Sequence, residues 1–153
     1  VRGPNVFKGY WNMPEKTAAE LRDDGFFITG DLGMIDDQGY VVIVGRAKDV
    51  VISGGLNIYP REVEEVLDAQ PGVLESAVVG VPHPDLGEAV VGVIVAEDGA
   101  TPDTGAIAAA AAGSLARFKQ PRRLIVLDAL PRNTMGKVQK TALRKACAGL
   151  FTP

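Results

Sequence analysis

YPREVEEVLDAQPGVLESAVVGV, residues 59–81, changes its apolar period halfway along, and that change sets the fold class. In its first half Val63, Val66 and Leu67 recur at helical spacing. Pro60 stands in the first turn, where a missing N–H costs nothing, and Glu62 lies near the positive end of the helix dipole. Pro71-Gly72 stops the helix. The second half, SAVVGV (76–81), is a short apolar strand, so helix and strand follow each other within one unit.

Working outward, the same alternation continues. AVVGVIVA (89–96) reads as a second strand and RLIVLDAL (123–130) as a third. Between them Thr101-Pro102-Asp103 caps a helix that places Ile107, Ala111, Leu115 and Phe118 on one side. A last helix from about Val138 buries Val138, Ala142, Ala146 and Leu150 and turns Lys140, Arg144 and Lys145 outward. The expected architecture after residue 49 is α+β, a three-stranded sheet flanked by helices. Upstream, PEKTAAEL (14–21) predicts a short helix. Short β runs follow at Phe26–Thr29, Met34-Ile35 and Tyr40–Gly45, with turns at Gly30-Asp31 and Asp36–Gly39. These strands are too few for a closed core. The charged joint Arg46–Asp49 therefore predicts a boundary, with 1–47 a β-rich remnant of another domain and 48–153 the small domain.

Composition narrows the function. The chain has 153 residues, is 46% hydrophobic and 23% charged, and carries a net charge of −3. That balance gives no electrostatic support for general nucleic-acid binding. Basic residues do gather between Arg117 and Lys145, which suits either an anionic small molecule or a solvated face. Cys147 is the only cysteine, so no intrachain disulfide forms, as expected in a reducing cytoplasm. Apolar runs are too short for a membrane span. The chain opens without Met in a turn-rich segment, and the expectation is a fragment of a longer protein.

Five places could carry chemistry. In TGDLG (29–33), Asp31 has two acceptor oxygens for a pair of adjacent hydroxyls, or it bonds its own turn. In GRAKD (45–49), Arg46 and Lys48 share a side if the strand continues; Arg46 could bond a hydroxyl or phosphate, or guard a sheet edge. Ser53, Gly54 and Gly55 form either a plain turn or a place where a ligand approaches the backbone. His83, the only histidine, lies between two prolines and reads as a loop residue, and no cluster for a metal is available. Lys137 ends the glycine-jointed loop of LPRNTMGKVQK (130–140), read as mobile. An ammonium there can neutralise charge building up on phosphate and carboxylate oxygens.

The order of these motifs, from GYW and PEKT through DGFFITGDLG, GRAKD, SGGLNIYPREVE, GVPHPDLGE and KQP to LPRNTMGKVQK, resembles the C-terminal third of the adenylate-forming enzymes. Within that superfamily it is most similar to the acyl-CoA synthetases and, among them, to the malonyl-CoA synthetase branch. The resemblance implies an ATP-dependent acid–CoA ligase that makes acyl-CoA, AMP and pyrophosphate through an acyl-adenylate. It implies that Asp31 and Arg46 bind the ribose of ATP and that Lys48 is a hinge. Ser53, Gly54 and Gly55 would line the CoA tunnel, and Lys137 would be the catalytic lysine of adenylation. Met34 departs from the arginine common after the GDLG turn. Magnesium and the acyl pocket belong to the large N-terminal domain, so this chain alone is expected to be inactive. Malonate is the favoured acid and a medium- or long-chain fatty acid the runner-up. A non-catalytic binding module and a carrier-linked adenylation domain are the other readings.

Overall fold

In the computed structural model, which describes residues 1–151, the chain divides into two units, Val1–Lys48 and Asp49–Pro153. In the first, helix α1 (Pro14–Glu20) begins on a proline, as its sequence predicts. Thr17 ties the incoming chain to it. Its hydroxyl accepts from the Tyr10 N–H at 2.9 Å and donates to the Met13 carbonyl at 2.9 Å. Strands β1 (Asp31–Ile35) and β2 (Val41–Arg46) pair antiparallel. Asp36 closes their turn by accepting from the N–H groups of Gln38 and Tyr40, with Gly39 at φ 87°. A strand expected over Phe26–Thr29 is absent among the described residues. Its backbone is spent on irregular partners: Phe27 N–H bonds the Val1 carbonyl and Ile28 N–H the Glu20 carbonyl. The strand starts instead at Asp31, where a turn was expected.

The second unit contains a five-stranded sheet. Strands β3 (Val51–Ser53) and β4 (Leu56–Ile58) form a short hairpin whose two loop residues are Gly54 and Gly55, at φ 57° and 80°. Positive φ at both central positions is the geometry that matches the twist of a two-residue hairpin, and glycine adopts it without strain. After helix α2 (Pro60–Asp68) come strands β5 (Val73–His83) and β6 (Gly87–Ala96), a long antiparallel ladder. Helix α3 (Thr104–Ser114) leads to β7 (Arg123–Leu127), which pairs parallel to β6. Helix α4 (Lys140–Cys147) ends the described fold. The three expected strands are thus β5, β6 and β7, and the β3–β4 hairpin extends them. Because β5 occupies one edge of β6 throughout, β3 and β7 share the other: Ser53 pairs with Gly87, and Arg123–Leu127 pair with Val91–Val95.

Both faces of this sheet are covered, which is why its strands read as unbroken apolar runs. Val78, Val90 and Ile94 face α2 and α3, packing with Val63, Leu67, Ile107 and Ala111. The alternate residues Ala77, Val79, Val91 and Val93 face the other way, onto Leu130, Leu143 and Cys147. Strand β5 is a sheet edge, and Glu64 of α2 covers it. The Glu64 carboxylate accepts from the Val78 N–H at 2.8 Å and from the Lys140 ammonium at 2.6 Å, joining helices from both faces.

Two helix faces depart from the pattern expected. On α4 the buried residues are Leu143 and Cys147, whereas Ala146 and Leu150 are exposed. The helix starts at Lys140, and Lys140 and Arg144 lie along its buried side, paired with Glu64 and Asp49. Phe118 leaves α3 altogether: Leu115 is the C-cap, and the following 3₁₀ turn exposes the ring. The cap at the other end agrees with expectation, since the Asp103 carboxylate accepts from the N–H groups of Gly105 and Ala106. Asp103→Ala should lower stability by about 1 kcal/mol, read as a smaller urea midpoint at unchanged slope; no shift would mean that α3 needs no cap.

Candidate functional site

Strand pairing brings Asp31 and Arg46 together. They are direct partners in the β1–β2 register, and Arg46 Nε lies 3.1 Å from Asp31 Oδ1. Thr29 holds the approach to Asp31, its hydroxyl accepting from the Asp31 N–H at 3.1 Å. The two side chains open into a cleft of about 600 Å³ that Lys48 also lines. Both open functional readings of Asp31 and Arg46 therefore meet in one place, beside a cavity rather than at a bare edge.

The cleft's other wall was not foreseen. Tyr10, Lys16 and Glu20 line it, Tyr10 donating to Glu20 Oε2 at 2.6 Å and the Lys16 ammonium lying 4.2 Å above the Tyr10 ring. The Glu20 carboxylate accepting that bond, with burial and its charge adding, pushes the Tyr10 phenol above its ordinary range, so it stays a donor. A sequence signal existed: Lys16 and Glu20 are four apart on α1 and share a face.

The second unit holds the other candidates, at two separate places on its sheet. Ser53 is buried, and the Gly54 N–H donates to the Leu86 carbonyl at 2.9 Å. This glycine hairpin meets β6 at Gly87. Lys137 stands at the other end, where its loop reaches Glu75, the partner of Val95. From Gly87 to Val95 the strand covers about 26 Å at ~3.3 Å per residue.

Around Lys137 the chain forms a closed hairpin, not a loose glycine joint. Arg132 bridges to Val138, and the Gln139 N–H donates to the Pro131 carbonyl at 2.7 Å. Asn133 grips both backbone groups of Lys137: its N–H donates to the Lys137 carbonyl, and its side-chain oxygen accepts from the Lys137 N–H, each at 2.9 Å. Gly136, at φ 76°, supplies the left-handed residue that a three-residue hairpin loop requires. The lysine side chain is exposed. A turn tied this closely presents Lys137 from a fixed base, so displacement of the ammonium beyond its own rotamers has to involve what carries the turn.

Of two residues set aside in the sequence, His83 ends β5 as the partner of Gly87, next to the glycine hairpin, and Cys147 lies in the core. His83 Nδ1 accepts from the Asp85 N–H at 3.2 Å within its own loop. Cys147 is buried, and burial pushes its thiol up, which keeps it un-ionised and unreactive. No group of three metal-ligating side chains occurs among the described residues, and no helix there is long and apolar enough to cross a membrane.

Residues 62–137 match the model of the AMP-binding enzyme C-terminal domain. The indoleacetate–CoA ligase of Aromatoleum aromaticum is 46% identical over 97% of this chain, which spans 29% of that enzyme. The long-chain-fatty-acid–CoA ligase of Bacillus subtilis is 46% identical over 94% of the chain and 25% of its own length. Among solved structures, ATP-bound MatB from Rhodopseudomonas palustris superposes with a TM-score of 0.89 at 59% identity, covering 99% of this chain and 30% of MatB. The chain thus spans less than a third of the relatives it matches, and it belongs to the AMP-binding enzyme C-terminal domain family.

Proposed function

We propose that this chain is the C-terminal part of an ATP-dependent acid–CoA ligase. The observation that carries the reading is Lys137, an exposed ammonium on a hairpin whose backbone is gripped from both sides by Asn133. In the first half-reaction a carboxylate oxygen attacks the α-phosphorus of ATP and pyrophosphate leaves. Lys137 neutralises charge on the oxygens of that transition state. Asp31, oriented by Arg46, accepts from the ribose hydroxyls of the nucleotide. In the second half-reaction the CoA sulfur attacks the acyl carbon and AMP leaves, with Ser53, Gly54 and Gly55 lining the path of the thiol. Lys48 is the pivot between the units, residues 1–47 are the end of a larger adenylating domain, and 48–153 are the small mobile one.

The separation of the glycine hairpin from the Lys137 turn supports a division of labour, since the two ends of one ladder cannot attend one reacting carboxyl together. Magnesium, which such ligases use with ATP, has no cluster of ligands among the described residues. The reading assigns it to the larger adenylating domain.

Malonate or another short dicarboxylate is the favoured acid, supported by the likeness to MatB, a malonyl-CoA synthetase. The fatty-acid ligase among the relatives supports a medium- or long-chain fatty acid as the second reading. Carboxylate-dependent ATP–pyrophosphate exchange by the full-length parent, tested with malonate, methylmalonate, acetate, octanoate and palmitate, decides between them. Malonate-driven exchange is expected. Exchange only with octanoate or palmitate would select the second reading, and none at all would leave a binding module.

A further inference from the structure

We propose that Glu75, Arg132 and Asn133 are positioning residues for Lys137, linking it through an ion pair to a bulge in strand β5. The inference rests on the reading of Lys137 as the adenylation lysine and adds the groups that aim it.

The geometry starts in β5. Val73 pairs with Ala96 and Glu75 with Val95, so Leu74 is an extra residue, left without a partner on β6. One extra residue switches which face the chain presents on either side of it. Val73 accordingly joins the core under α2 and α3, while Ala77 and Val79 pack on the opposite face with Leu130 and Leu143. Glu75, two residues before Ala77, shares that second face. Leu130 leads directly into the Lys137 hairpin, so the bulge turns a carboxylate toward the base of that turn.

Arg132 receives it. One guanidinium nitrogen, Nη2, pairs with Glu75 Oε2, and the other, Nη1, donates to the Gly136 carbonyl at 2.7 Å. The planar fork thus spans from the sheet to the peptide immediately before Lys137. Asn133 completes the frame. Its side-chain oxygen accepts from the N–H groups of both Met135 and Lys137. The pair between Glu75 and Arg132 is partly exposed and contributes little to global stability. Its effect is local: it sets the direction in which the Lys137 Cα–Cβ bond leaves the turn.

The test uses the full-length parent with Glu75→Gln, Asn133→Ala and Asn133→Asp, each alone and combined with Lys137→Ala. Three quantities are read: pyrophosphate release in a single turnover, thioester formation from supplied acyl-adenylate and CoA, and the unfolding midpoint. Glu75→Gln and Asn133→Ala should slow pyrophosphate release by roughly 10–100-fold, as small misplacement of a catalytic group does, and leave thioester formation within about twofold. Asn133→Asp keeps an acceptor oxygen and should recover most of the loss. In the Lys137→Ala background none of them should slow adenylation further, because no lysine is left to aim.

Equal losses in both half-reactions, or losses that add fully to that of Lys137→Ala, would overturn the proposal in favour of a merely structural role. Lys137→Ala impaired with Glu75→Gln and Asn133→Ala normal would overturn it while sparing the reading of Lys137. An unimpaired Lys137→Ala would end both.

Discussion

Lys137→Ala in the full-length parent lowers carboxylate-dependent ATP–pyrophosphate exchange by about 10²–10³-fold, the usual loss when one preorganised charge facing a developing oxyanion is removed. The size follows from the turn. An ammonium on a free loop would spend most of its time elsewhere, and deleting it would cost little. Here Asn133 holds both backbone groups of Lys137 and Arg132 holds the preceding peptide, so much of the cost of ordering is met before substrate arrives. The loss should fall on kcat with little change in the KM for ATP, because nucleotide contacts are assigned to the cleft beside Asp31. Thioester formation from supplied acyl-adenylate should survive. A variant that keeps its exchange rate would return Lys137 to the status of a surface cation.

The second large effect lies in the core under α2. Leu67 is fully buried there. A Cβ placed on Gly92 of β6 would come within 2.7 Å of Leu124 Cδ2 and 2.9 Å of Leu67 Cδ1. Leu67→Ala should therefore cost about 2–5 kcal/mol by opening a cavity, and Gly92→Ala about 1–3 kcal/mol by overfilling the same space. The double variant should cost clearly less than the sum, because the methyl of the new alanine enters volume that Leu67 vacates. Urea unfolding followed by circular dichroism measures all three. Simple additivity would show that Leu124, not Leu67, sets the limit at Gly92.

These two sites differ in how far the sequence announced them. The α2–β5–β6 core was legible because a change from helical to strand spacing is a local signal, and Val63, Leu67, Val78 and Ile94 fall where it puts them. The face of α4 was misjudged because its small residues give little contrast. Four-residue spacing through Ala142, Ala146 and Leu150 competes with the pair Leu143 and Cys147, and the ion pairs of Lys140 and Arg144 with α2 and Asp49 decide the outcome. Those partners are distant in sequence.

The same holds for chemistry. Lys137 and Asp31 stood out by residue type and glycine context, whereas the pairing of Asp31 with Arg46 needed the β1–β2 register. Glu75 carried no signal at all. Its aim depends on an unpaired Leu74, and a bulge is a property of two strands together, not of either one.

The length of the β5–β6 ladder bears finally on the tempo of a complete turnover. If the glycine hairpin and the Lys137 turn serve successive steps, what separates those steps is passage of a folded body through solvent. Motions of that kind take microseconds to milliseconds and are opposed by friction. Added sucrose should then slow the overall cycle wherever this passage limits it, in proportion to viscosity, while each half-reaction measured alone keeps its pace. A strand ladder, chemically inert along its whole length, would in this way give the enzyme a hydrodynamic clock.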